Sequence, residues 1–285
     1  MTELLDTHVH FWDPASRHHD WLAEVPELQR RFGPEDYEAG AQHVAGAVFV
    51  QADCRDEEGL DEVRWVAGLA AEHSFIKGIV AFAPIHLGSD AAPALEALRE
   101  FPLVVGVRRL LQGRPAEEIV DKRLVDGVRL LSRYGFTFDV CATHDQLPAV
   151  AELVRSCPET SFVLDHLGKP PIIEGSLDPW RADISAISQH RNVTLKLSGL
   201  ITAAPSRWTE SDLRPYLEHC LEVFGPRRCM VGSDWPLVLL RTTAAHWFEL
   251  VLDLVEGLSA AEQAAVARDT GFATYGLARA VPAAR

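Results

Sequence analysis

The chain is short of positive charge. Its 285 residues carry 27 Lys and Arg against 41 Asp and Glu, a formal net charge of −14. Neither a nucleic acid nor an anionic membrane surface is an expected partner, because both need a basic face. Cysteine is scarce as well. Cys54, Cys141, Cys157, Cys220 and Cys229 are odd in number, scattered, and form no CxxC pair. This usage argues against a disulfide frame and fits reduced thiols in a cytoplasmic protein, with Cys141 and Cys229 as small core residues in apolar runs. No apolar run reaches the roughly 18 residues of a membrane span. No segment has the charged start, apolar middle and small-residue cleavage site of a secretion signal. There is no Pro/Gly/Ser-rich linker, repeat or low-complexity stretch to divide the chain. Residues 1–285 therefore read as one domain, with an apolar fraction of 47% that suffices for a large core.

What is present is an alternation of short apolar runs and amphipathic stretches. Strands are expected around Asp6–His10, then at Gly46–Asp53, Phe75–Ile85, Leu103–Leu111, Phe136–Ala142, Ser161–His166, Val193–Leu200 and Arg228–Ser233. Helices are expected at Glu35–Val44, Glu57–Ser74, Pro93–Phe101, Lys122–Tyr134, Gln146–Ser156, Pro179–Gln189, Ser211–Phe224, Thr243–Val255 and Ala260–Thr274. Leu60, Val63, Val66, Ala67 and Ala70 recur at helical spacing, and Thr143 with Gln146 has the spacing of a capping box. Continuous apolar strands are those of a sheet covered on both faces. Eight of them, each followed by helical sequence, predict an α/β fold, a (β/α)8 TIM barrel. A doubly wound open sheet would show a Gly-rich first turn, whereas the turn after the first strand is Phe11-Trp12-Asp13-Pro14.

In such a barrel the chemistry lies at the C-terminal ends of the strands. The polar residues expected there are His8, His10, Gln51, Asp53, His86, Arg108, His166, Ser198 and Asp234. In Asp6-Thr7-His8-Val9-His10 the two-residue strand period puts both imidazoles on one face, with Asp6 beside them. Paired imidazoles there suit a metal or a held water, although an HxH pair of satisfied histidines is the plain alternative. Asp234 is placed to serve as a general base, and His8, His10 and His166 to hold a metal or donate to a developing oxyanion. Arg108 suits a substrate carbonyl or carboxylate, or else a structural ion pair. Gln51, His86 and Ser198 are candidate substrate contacts, and Trp12, Trp21 and Trp235 candidate walls for a small ring. Lys196 is expected to be buried and paired with Asp139 or Asp6. Asp165 is expected to point outward or cap locally. His18 and His19 are expected to be solvated loop residues. His43, His73, His190, His219 and His246, with Trp180, Trp208 and Trp247, are expected to pack.

DTHVHFWDP, GVRRLLQ, FVLDHLGKP, VTLKLSGL and VGSDWP, in this order, resemble the amidohydrolase superfamily, and more closely its lactonase branch of sugar-lactone and pyrone-dicarboxylate lactonases. The resemblance runs to Tyr275-Gly276-Leu277. It implies hydrolysis of a small lactone by an activated water, with Asp234, His166, His8 and His10 as the catalytic set and the same four as ligands if a metal is bound. Two-metal members of the superfamily bridge their ions with a lysine or glutamate from the fourth or fifth strand. Here the fourth strand offers Arg108, the fifth offers Asp139, and Lys196 lies on the seventh. One divalent metal, zinc, or none is thus the expectation. The alternatives are a zinc-dependent decarboxylase or an amide or ester hydrolase of the same superfamily, and, from another class, a non-catalytic binding barrel. The sequence does not fix the oligomeric state, for which a homodimer is the commonest base rate.

Overall fold

The computed structural model describes residues 3–41 and 44–278. Eight strands follow one another around a single sheet in chain order, every pairing parallel: β1 (Leu4–Val9), β2 (Val44–Val50), β3 (Ile76–Ala81), β4 (Val104–Leu110), β5 (Thr137–Cys141), β6 (Phe162–Leu164), β7 (Val193–Leu197) and β8 (Cys229–Val231). The ring closes just beyond β8. The Asp234 amide donates to the His8 carbonyl at 2.9 Å, and the His10 amide donates to the Trp235 carbonyl at 2.7 Å. This is the (β/α)8 barrel that the sequence pattern predicts.

The helices between the strands are α1 (Pro34–Gly40), α2 (Gly59–Glu72), α3 (Ala92–Arg99), α4 (Ala116–Ile119), α5 (Lys122–Tyr134), α6 (Leu147–Ser156), α7 (Trp180–Ser188) and α8 (Glu210–Phe224). After β8 come α9 (Ala244–Val255), α10 (Ala260–Ala264) and α11 (Thr270–Thr274). The short α4 has no counterpart in the sequence reading. The helix expected over Ala260–Thr274 is interrupted by a π-turn at Ala265–Asp269, whose wide loop buries Ala265, Val266 and Ala267 by the end of the barrel. The helix expected from Glu35 onward ends at Gly40, and His43 lies outside the described residues. The expected strands β6 and β8 run too far. The chain leaves the ladder at Leu164 and Val231, before the left-handed backbone at His166, Leu167 and Asp234. No described helix is long and apolar enough to cross a membrane.

The main core fills the layer between strands and helices. A second apolar cluster of Val48, Val50, Val80, Val163 and Met230 draws on strands from opposite sides of the barrel, which meet only inside the ring. Tyr275 joins this cluster from below, and its hydroxyl donates to Asp139 Oδ2 at 2.6 Å. Above it, Lys196 is wholly buried and donates to Asp139 Oδ2 at 2.6 Å, so it meets Asp139 and not Asp6. All five cysteines are buried and free.

Asp6 braces the closure. Its carboxylate accepts from the Ser233 amide at 2.8 Å, the Ser233 hydroxyl, the Tyr37 hydroxyl at 2.9 Å and the His8 amide at 3.1 Å. Burial nevertheless pushes its pKa up to about 6, against the lowering effect of those donors. The folded protein therefore holds a proton on Asp6 more tightly than the unfolded chain does. The stability this confers is complete below about pH 4 and is lost as pH rises through about 6. Asp6→Asn mimics the protonated form and should flatten that part of the profile. In urea unfolding from pH 4 to 7, wild type should lose about 2–3 kcal/mol relative to Asp6→Asn. Parallel profiles would show that Asp6 is not the titrating group.

Candidate active site

The first strand delivers His8 and His10 together. Their Nε2 atoms lie 3.2 Å apart, and the ring planes stand at 78°. His10 Nδ1 is 2.7 Å from the Val50 carbonyl, which can only accept. The His10 N–H is therefore on Nδ1, and its Nε2 carries the lone pair. The end of β8 brings Asp234 opposite, with Oδ1 3.4 Å from His10 Nε2 and 3.8 Å from His8 Nε2. His166 joins from the turn after β6, with its ring centroid 4.5 Å from that of His8. Ser198 Oγ is 2.9 Å from His166 Nδ1, which leaves Nε2 free. Gly199 is required beside it. It has φ +63°, and a Cβ there would lie 2.2 Å from His166 Nδ1.

Burial sets the electrostatics of this group. It lowers the pKa of His8 well below the ordinary histidine value, lowers that of His10, and brings His166 to about 4. All three are neutral at pH 7 and present lone pairs. Asp234 goes the other way. Burial alone would raise its carboxyl, but the neighbouring imidazoles of His166, His10 and His8 outweigh it as they take up protons in acid, and hold the group below the usual carboxylate range.

Behind His8 lies a buried ionic layer. Asp165 is fully enclosed, with Oδ1 3.1 Å from Lys196 Nζ and 3.4 Å from His8 Nδ1, and Oδ2 3.8 Å from Arg108 Nη1. The expectation that Asp165 points outward is thus overturned. Chain reversal at His166 and Leu167, both with left-handed φ, turns the preceding side chain into the barrel. His8 Nδ1 also lies 3.2 Å from Lys196 Nζ. A lone pair on Nδ1 would accept from Lys196, whereas an N–H there donates to Asp165. Only the second tautomer leaves His8 Nε2 with a lone pair on the Asp234 side.

The donor set fits a divalent cation. His8, His166 and Asp234 each offer a ligand atom, all within 4.8 Å of one another. Two neutral imidazoles and a carboxylate are a zinc-type set. Cys141, Asp165 and His166 form a second group of the same compactness. Burial pushes the Cys141 thiol up, so it stays protonated and is the poorer ligand.

A cleft of about 340 Å³ opens over this floor, lined by His10, Arg108, His166 and Asp234 together with Trp21, Asp53, Leu110, Gln112, Cys141, Lys169, Thr202 and Leu237. Arg108 is anchored by donating from Nη2 to the Gln51 carbonyl, and its Nε is buried without a partner among the described residues. Several expected contacts do not reach the cleft. Trp12 and Trp235 are buried in an aromatic cluster with Phe11, Phe32 and Tyr37, and the Trp12 indole donates to the carbonyls of Leu28 and Arg30. Both are packing residues, and Trp21 alone of the three expected walls lines the cleft. Gln51 turns back to accept from the Asp53 amide. Ser198 braces His166. His86 falls beyond the end of β3 in a separate turn, away from the cleft. His19, expected in solvent, is buried, while His18 is exposed and pairs with Glu58.

The sequence reading assigned no role to Lys169, Gln112, Thr202 or Leu237, and it took Cys141 only as core. Lys169 had a usable signal, since it follows His166 within one tight Leu-Gly-Lys-Pro turn. Gln112, Thr202 and Leu237 had none.

The amidohydrolase family model matches residues 5–277. An L-fucono-1,5-lactonase of Burkholderia multivorans is 32% identical over 293 residues, covering 96% of each chain. An L-fucono-1,5-lactonase of Burkholderia ambifaria is 32% identical over 242 residues, covering 83% of this chain and 81% of that one. A crystal structure of an amidohydrolase from Burkholderia multivorans with bound zinc superposes with a TM-score of 0.87 at 30% identity, over 97% of this chain and 100% of that one. With a match that begins in the histidine strand and ends past the helix sealing the barrel, the chain belongs to the amidohydrolase family.

Proposed function

We propose that the chain hydrolyses a small sugar lactone by directing one water onto the ring carbonyl at the floor of the cleft. The observation that carries this reading is the ionised Asp234 carboxylate, 3.4 Å from His10 Nε2, in a cleft that Arg108 and His166 also line. The names of the two Burkholderia relatives support a sugar lactone as the substrate class. The reading places the enzyme in the cytoplasm and in carbohydrate metabolism, the former supported by five unpaired cysteines.

Opening a lactone needs a proton acceptor for water, a donor for the carbonyl oxygen and a proton for the departing ring oxygen. Asp234 takes the proton as the water oxygen bonds to the carbonyl carbon, and returns it to the ring oxygen as the ring C–O bond breaks. The product is a hydroxy acid. Arg108, with its fork anchored at one end, donates to the carbonyl oxygen as charge builds there. A carboxylate as acidic as Asp234 is a weak base. A divalent cation, zinc by the donor set, would be held by His8, His166 and Asp234 and would supply the missing acidity to water. Asp165 orients His8 for that task by accepting its Nδ1–H. Trp21 supplies an apolar wall, its indole N–H fixed on the Ala52 carbonyl at 2.9 Å.

A pH-indicator screen of aldonolactones and aromatic-ring lactones, with and without chelator, tests the reading. Turnover of aldonolactones supports it, and silence toward every lactone ends it. Asp234→Asn keeps the shape and tolerates the left-handed backbone. It should lower kcat by 10²–10⁴-fold, roughly, with the unfolding midpoint unchanged. A near-normal rate would remove Asp234 as the base. Arg108→Met should raise KM or abolish turnover while leaving zinc content alone, and an unchanged KM would return Arg108 to structure. Asp165→Asn should weaken zinc binding by about 10- to 100-fold in competition with a chromophoric chelator. Undiminished affinity would remove Asp165 from that role.

A further inference from the structure

Among the described residues, five other than glycine hold left-handed backbone: Asp53 (φ 56°), His166 (φ 54°), Leu167 (φ 55°), Lys169 (φ 46°) and Asp234 (φ 61°). L side chains avoid this region, and they persist there where the surroundings impose it, often at functional sites. All but Leu167 line the same cleft. His166 and Asp234 belong to the reacting set. Asp53 and Lys169 have no place in the chemistry above, yet their backbone is held in the same costly way.

Their positions are complementary. Asp53 follows β2 and Lys169 follows β6, so in a ring ordered β1 to β8 they face each other across the cleft. The Asp53 amide donates to Gln51 Oε1 at 2.6 Å, which fixes the backbone, while its carboxylate has no hydrogen bond or ion pair to any described residue. That carboxylate belongs to an exposed residue and is open to the cleft. Partial burial raises its pKa, with the Arg108 charge opposing. Lys169 Nζ donates to Gln112 Oε1 on the far side. Trp21, bonded to the residue before Asp53, sets a flat apolar wall next to the free acceptor. A carboxylate with no protein partner among the described residues, a wall and an opposing amine–amide pair match a ring that carries several hydroxyl groups.

We infer that Asp53 and Lys169 read the ring hydroxyls of the substrate. Asp53 accepts from hydroxyls on the Trp21 side, and Lys169 with Gln112 pairs with those on the other. The site then selects a polyhydroxylated lactone over a bare ring of the same size, because a bare ring displaces water from these polar groups without replacing its hydrogen bonds. This inference rests on the lactonase reading and names its selectivity.

The test compares aldono-1,5-lactones with δ-valerolactone, the same ring without hydroxyls, on wild type, Asp53→Asn, Asp53→Gly and Lys169→Met. Asn and Gly both tolerate left-handed backbone, so neither Asp53 variant should fail to fold. Asp53→Gly should lower kcat/KM for aldonolactones by about 10- to 100-fold, mostly through KM, and for δ-valerolactone by less than about 3-fold. Its unfolding temperature should not fall. Asp53→Asn, which keeps one acceptor oxygen, should fall between, and Lys169→Met should shift selectivity in the same direction. Equal losses on both substrates, or none on either, overturn the inference while the lactonase reading stands. A lower unfolding temperature in Asp53→Gly with both activities reduced makes Asp53 structural and also overturns it. Wild type that opens neither ring overturns both.

Discussion

Two hydrogen bonds between the ends of the chain fold decide the site. The Asp234 amide donates to His8 and the His10 amide donates to Trp235, which ties the strand that begins the barrel to the turn that ends it. The donors and acceptors interleave the candidate site residues themselves, so closing the ring and setting the Asp234–histidine separation are one event. Asp6 holds the joint by taking the Ser233 amide and hydroxyl while accepting from the His8 amide. A barrel that failed to close there would keep most of its core and lose the cluster of His8, His10 and Asp234.

Beneath the joint, charge is paired within the ring, with one carboxylate in excess. Lys196 and Arg108 stand among Asp139, Asp165 and Asp234, all of them buried. Ions this deep are tolerated only when paired, and removing one partner is far costlier than never having had the pair. The three histidines add no charge, because burial keeps them neutral. Paired acids and bases, neutral imidazoles and one ionised carboxylate at the surface of the cluster leave the cleft floor poised to accept a cation or a proton. The ionic layer is therefore both the support of the site and the source of its polarity.

The sequence made much of this legible because barrel geometry turns linear position into spatial position. His8, His10, His166 and Asp234 share no local signal, yet each ends a strand, and strand ends converge. The burial of Lys196 against Asp139 followed from its place within an apolar strand. What could not be read depended on side-chain direction outside regular structure. Trp12 and Trp235 were expected as walls, but aromatic packing with Phe11, Phe32 and Tyr37 drew them under the loop. Asp165 was expected outside because alternation along β6 was carried one residue too far, past the point where the backbone reverses. Left-handed conformations at non-glycine residues have no reliable sequence mark, so Asp53 and Lys169 gave no sign of their special backbone.

That reversal explains why strain gathers at one end of the barrel. A parallel strand delivers its last side chains outward along its own axis, and aiming one back over the ring requires an abrupt turn. Glycine would make the turn cheaply, but it has no side chain to aim. Side chains that are aimed over the cleft must therefore accept the left-handed conformation, at about 1–2 kcal/mol each and less for the two aspartates. The opposite end carries none of them. There Tyr275 and Leu277 pack against the inner apolar cluster, and the π-turn buries its small side chains beside β8. The two ends divide the work, since one can be strained for catalysis only because the other and the helical layer are packed tightly enough to hold it.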